Sequence, residues 1–131
     1  MADGQTGQTG PTEVRRSADC GSSPKNARAE GIALALMGVG ALPAEMLAEA
    51  ASWDRPGGAV TGRAAILGAV AGTAPADLIR VEQVVTHGRA GSVSGRVTRG
   101  SETRAFCHVI RFTTAAAREI AQLVSFEHPL G

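Results

Sequence analysis

TRAFCHVIRF, Thr103 to Phe112, followed by EIAQLVSFE, Glu119 to Glu127, is the pair of segments on which the reading of this chain turns. They read as the central hairpin of a curved sheet, with one ionisable side chain, His108, in the middle of an otherwise apolar strand. Phe106 and Ile110 share the face of His108, and Cys107 alternates away from it. If the His108 face meets helices, burial keeps the imidazole neutral and able to donate or accept one proton. The alternative is a core histidine bonded to a backbone carbonyl or to a serine such as Ser125. Cys107, on the other face, makes no nucleophile and base pair with His108 and reads as a small buried hydrophobe.

Working back toward the N-terminus, LIRVEQVVTH, Leu78 to His87, alternates in period two. The strict alternation puts Ile79, Val81, Gln83, Val85 and His87 on one face and Arg80, Glu82, Val84 and Thr86 on the other. A turn at Gly88 to Gly91 leads to a strand from Ser92 to Thr98, and Gly100 marks the next turn. Earlier still the period is helical. Ser23 as N-cap and Pro24 at the first helical position open a helix to Met37, which Gly38-Val39-Gly40 ends. Pro43 to Ala51 reads as a second, shorter helix, then Ser52-Trp53-Asp54 as a brief strand, Pro56-Gly57-Gly58 as a turn and Ala59-Val60 as a return strand. Thr61 is placed to cap a third helix from Gly62 to Ala71. Three helices followed by four long strands predict an α+β domain with helices packed on one face of an antiparallel sheet.

The chain has 131 residues, 44% of them hydrophobic, enough for one ordinary core. Met1 to Ala18, polar and glycine-rich, reads as a disordered arm, leaving residues 19–131 as a single domain. Thirteen basic and twelve acidic residues give a net charge of +1, with no basic stripe for nucleic acid or an anionic membrane surface. No apolar run approaches the roughly 18 residues of a membrane span. Cys20 and Cys107 fit no zinc or redox pattern, and reduced thiols predict a cytoplasmic location.

Motifs for cofactors fail on chemistry. Gly57-Gly58-Ala59-Val60-Thr61-Gly62-Arg63-Ala64 has phosphate-loop spacing, but arginine stands for the lysine and alanine for the magnesium-binding hydroxyl. Gly38-Val39-Gly40 follows a helix and lacks a third glycine. His87, His108 and His128 show no metal-ligand spacing, although ligands can converge from separate strands. The reading therefore expects no cofactor and no metal. Trp53 reads as core or pocket wall. Asp54 beside it is either a base raised in pKa at the mouth of an apolar pocket or a solvated turn aspartate.

Five stretches, DCGSSPKN at Asp19 to Asn26, SWD at Ser52 to Asp54, TGRAAI at Thr61 to Ile66, THGRAGSVSG at Thr86 to Gly95 and FCHVIRF at Phe106 to Phe112, resemble the nuclear transport factor 2-like superfamily. That superfamily also holds SnoaL-like polyketide cyclases, ketosteroid isomerases and limonene epoxide hydrolases. The resemblance, to a bacterial subgroup in particular, covers Asp19 to Glu127. It implies a cone, a strongly curved, mostly antiparallel sheet wrapped round three N-terminal helices with a cavity between, and a homodimer joined through the outer sheet face. It also matches His108 to the isomerases' oxyanion-holding acid and Asp54 to their general base. The isomerases' tyrosine has no counterpart at Gly31 to Leu34, so steroid isomerisation is not expected.

The expectation that results is a domain with an apolar cavity for a small hydrophobic molecule. Asp54 and His108 would serve an isomerase, cyclase or hydrolase as base and acid, with Trp53, Phe106, Ile110, His87 and Ser125 contacting the ligand. The alternatives are a non-catalytic ligand-binding or dimerisation module, or an accessory subunit that binds another protein.

Overall fold

The computed structural model describes residues 11–21 and 23–130. Seven strands, β1 (Glu13–Arg15), β2 (Leu47–Asp54), β3 (Val60–Thr61), β4 (Leu78–His87), β5 (Ala90–Arg99), β6 (Glu102–Phe112) and β7 (Ile120–Pro129), form one curved sheet with two helices, α1 (Pro24–Leu36) and α2 (Arg63–Ala71). The order across the sheet is β1-β4-β5-β6-β7-β2-β3. The four long strands form an antiparallel meander, and the two parallel pairings, β1 on β4 and β2 on β7, flank it.

Alternation along β6 turns Phe106, His108, Ile110 and Phe112 inward, and all four are buried. Leu123 and Ser125 of β7 stand opposite Ile110 and His108 on the same face. α1 packs against this face. Ser23 Oγ accepts from the backbone N–H of Asn26 at 3.1 Å and Pro24 opens the first turn, so its start is as the sequence predicts. Ile32, Ala33, Leu34, Ala35 and Leu36 are buried consecutively, as expected of a helix covered on nearly every side.

A β-bulge between Val81 and Gln83 shifts the register of β4 against β5. Before it Ile79 and Val81 face inward, but after it Val84 does, while Val85 is 49% exposed and His87 is exposed. The strict alternation read from the sequence is therefore correct for the first half of β4 and inverted for the second. One extra residue changes the face of every side chain after it.

The Asp19 to Asn26 stretch proves to be a latch on that bulge. Asp19 Oδ2 accepts the Val84 N–H at 3.0 Å, Asn26 Nδ2 donates to the Asp19 carbonyl at 2.9 Å, and the Thr86 hydroxyl donates to Asn26 Oδ1. Lys25 Nζ reaches the Gly88 carbonyl at 2.9 Å. These bonds tie the start of α1 to β4 and give Asp19, Lys25 and Asn26 partners within the chain.

Three expectations are corrected. Pro43 to Ala51 is not a second helix: only a 3-10 turn at Ala44–Met46 precedes β2, which runs through Ala48, Glu49 and Ala50. Those residues favour helix, but pairing of β2 with β7 overrides the propensity. α2 starts at Arg63 behind Gly62, whose φ of 98° is a conformation glycine tolerates, and Thr61 makes no cap. The expected disordered arm of residues 1–18 contains β1, anchored parallel to β4, whose Val14 packs on the core; residues 1–10 of that arm lie outside the described residues.

Candidate functional site

His108 is set by the parity of β6, and its neighbours by the register of the strands beside it. Ser125 is its cross-strand partner on β7, and Trp53 comes from β2 on the far side of β7. The Trp53 indole N–H donates to Ser125 Oγ at 2.8 Å, and Ser125 Oγ lies 2.7 Å from His108 Nδ1. Both contacts are buried. A hydroxyl has one proton to give. With the indole donating to Ser125, the arrangement that gives the Ser125 proton an acceptor is Ser125 O–H donating to His108 Nδ1. The imidazole then carries its own proton on Nε2.

That Nε2 has no partner among the described residues. Among the described residues, two buried side-chain polar atoms lack one, His108 Nε2 and Arg55 Nε. Both residues line the same recess, about 310 Å³, whose apolar wall includes Leu36, Met37 and Trp53. Its rim is charged. Arg99 contacts Glu127 through two nitrogens, at 3.1 and 3.3 Å, and Arg104 Nε lies 3.4 Å from the same carboxylate. The Arg55 guanidinium stands 5.2 Å from the centre of a Trp53 ring, within reach of a cation–π attraction.

Burial, with the Arg99 charge adding to it, lowers the His108 pKa from its ordinary 6.5 to about 4. The charged groups around the recess are Arg55, Arg99, Arg104 and Glu127, so the local charge opposes protonation as burial does. Because the folded pKa is depressed, the unfolded chain takes up this proton first as pH falls. The stability from the neutral imidazole is whole above about pH 6.5 and is lost toward pH 4. Between pH 7 and 4.5 the loss is about 2 to 3 kcal/mol, at about 1.4 kcal/mol per pKa unit. Urea unfolding at the two pH values is expected to show this loss in the parent and not in His108→Gln. Equal pH dependence in both would mean that His108 is not buried neutral.

The structure brings together only part of the predicted site. Trp53, His108 and Ser125 meet at the recess. Asp54 does not join them: it follows the inward Trp53 on β2, is exposed, and borders a second depression beside Val124 and Phe126. The sequence left the facing of Asp54 undetermined because it showed only a three-residue strand there. Phe106 stacks beside His108, ring centroids 5.4 Å apart, but does not line the recess, and Ile110 is fully enclosed in the core. His87 is turned outward by the bulge. Sequence reasoning missed Arg55, Arg99, Arg104 and Glu127. Parity carried a signal for two of them, since Arg104 lies four residues before His108 and Glu127 two after Ser125, each on the inward row.

Among the described residues no three His, Cys, Asp or Glu side chains cluster as metal ligands, and no helix is long and apolar enough to cross a membrane.

No family model matches the chain, and no curated protein matches it either. Solved structures do. A candidate ketosteroid isomerase from Kribbella flavida superposes with a TM-score of 0.63 at 21% identity, over 82% of this chain and 79% of that one. A nuclear transport factor 2-like protein of unknown function from Burkholderia xenovorans gives 0.57 at 10% identity, over 67% and 69%. Another, from Cytophaga hutchinsonii, gives 0.52 at 15%, over 66% and 72%. At these identities the likeness is one of fold.

Proposed function

We propose that this chain, which has the nuclear transport factor 2-like fold, is a small-molecule-binding domain whose site is the recess around His108. The observation that carries the reading is that both residues with an unpartnered buried side-chain atom among the described residues, His108 and Arg55, line this recess. Buried polar groups are nearly always hydrogen-bonded, and leaving one unmade costs about 1 to 3 kcal/mol. A ligand acceptor seated on His108 Nε2 would recover that cost. The recess, about 310 Å³, lies at the lower end of the roughly 300 to 1,000 Å³ of small-molecule pockets.

Binding is favoured over turnover. Isomerisation, cyclisation or water addition by acid–base chemistry needs a base as well as a donor. Asp54, the expected base, is turned away, and Glu127, the carboxylate at the rim, is engaged by Arg99 and Arg104. The recess thus offers a donor and no free base.

Trp53 is the only tryptophan and the chain has no tyrosine, so its emission reports on the recess alone. Titration with a panel of small apolar compounds bearing one acceptor group is expected to find members that shift Trp53 emission and raise the melting temperature. His108→Phe, which keeps an aromatic ring and removes the donor, is expected to abolish the response. If no compound moves the emission, or His108→Phe responds as the parent does, the recess holds solvent only and the proposal fails.

A further inference from the structure

Resting on that binding reading, we infer that the recess selects an anion: a small carboxylic acid with an apolar body, the carboxylate held among the rim guanidiniums and within reach of the His108 N–H. The ionisable groups lining the recess are three arginines, one glutamate and a neutral histidine; Arg99 and Arg104 pair with Glu127, and Arg104 also with Glu102 at 3.2 Å, which leaves the Arg55 charge uncompensated there. An ion-pair network alone accounts for Arg99 and Arg104, which share Glu127. It does not account for Arg55, which has no ion pair among the described residues and whose Nε is buried without a hydrogen bond.

The rim is also desolvated enough for its charges to matter. The side chains of Arg99, Arg104 and Glu127 are 36%, 30% and 22% exposed, so their field is less screened than that of fully solvated ions. A planar guanidinium matches a carboxylate in shape as well as charge. Glu127 already occupies part of this cluster and shows the geometry that a ligand carboxylate would extend. Below the rim, Leu36, Met37 and Trp53 supply an apolar wall. Inorganic phosphate would gain nothing from that wall, so an acid with a hydrophobic body is the better fit.

The test compares phenylacetate, cyclohexylacetate and octanoate with their primary amides, using the full chain, Trp53 emission and melting temperature. Each carboxylate is expected to bind at least about tenfold more tightly than its amide, and added salt is expected to erode that difference. Arg55→Met, checked by circular dichroism for an intact fold, is expected to lose most of the carboxylate preference while still binding the amides. Asp54→Asn, facing outward, is expected to behave as the parent. If acids and amides bind equally, the anion inference is overturned and the binding site stands. If neither series binds, both fall. A preference untouched by Arg55→Met would also overturn the inference, since the charge would then act elsewhere.

Discussion

Gly95→Ala is expected to leave little or no folded protein at room temperature. A Cβ built at Gly95 would lie 1.9 Å from the Arg80 carbonyl oxygen and 3.0 Å from both the Arg80 carbonyl carbon and the Glu82 nitrogen. All three are backbone atoms of the strand that bulges over this position, so no side chain can swing aside. Relief requires the bulge between Val81 and Gln83 to be undone, which would turn Val84 outward and break the Asp19 latch. Overpacking ordinarily costs about 1 to 3 kcal/mol, and displacing a ladder adds to it. Against a typical stability of about 5 to 15 kcal/mol, a loss of at least about 4 kcal/mol is expected. Gly91→Ala is the internal control, since its nearest contact is the Thr86 side-chain methyl at 3.1 Å, which can yield. Melting followed by circular dichroism separates the two. A Gly95→Ala protein melting within a few degrees of the parent would mean that the bulge is not where the structure puts it.

Ser125→Ala is the second large effect, and it acts on the site. The hydroxyl serves two buried groups at once, the Trp53 indole N–H and His108 Nδ1. Removing it leaves both without a partner, at about 1 to 3 kcal/mol each, so a total loss of about 2 to 6 kcal/mol is expected. The two losses are coupled through one atom. Trp53→Phe combined with Ser125→Ala is therefore expected to cost about 1 kcal/mol less than the sum of the single changes. Urea unfolding of the four proteins measures the cycle. Strict additivity would show that the indole bond contributes nothing. Ser125→Ala also frees His108 to place its proton on either nitrogen, so it should weaken ligand binding beyond its effect on stability.

The sheet was legible in the sequence where one face is buried over a long run. β6 carries its pattern without interruption, β7 does so from Leu123 onward, after a register shift between Ile120 and Gln122, and α1 announces itself by Ser23 and Pro24. Legibility failed where tertiary context overrides a local rule. β2 contains alanine and glutamate residues that suit a helix, and it is a strand because β7 offers it a ladder. β1 is three residues long, too short for any period to show. The β4 bulge has one sequence trace, Gly95 on the neighbouring strand, and it cannot be interpreted before the pairing is known.

The candidate site was half legible for the same reasons. His108 and Ser125 follow from parity on long strands, and Trp53 from its being the sole tryptophan beside a turn. Asp54 was misplaced because the length of β2, and hence its facing, was not visible. The resemblance to isomerases reinforced that error by matching Asp54 to their general base. The arginines escaped because single basic residues on a strand look like solvent-facing ones until the register brings Arg99, Arg104 and Glu127 to one end of the inner face.

The central claim is that His108 presents an unpartnered N–H to a ligand-sized recess. Nitrogen-15 NMR of the His108 ring at neutral pH, without and with phenylacetate, tests it most directly. The account expects a neutral ring with its proton on Nε2 and Nδ1 acting as acceptor, and an Nε2 resonance that moves as phenylacetate is added. A ring protonated on Nδ1, a charged imidazolium at neutral pH, or an Nε2 resonance that stays fixed at saturating phenylacetate would contradict it.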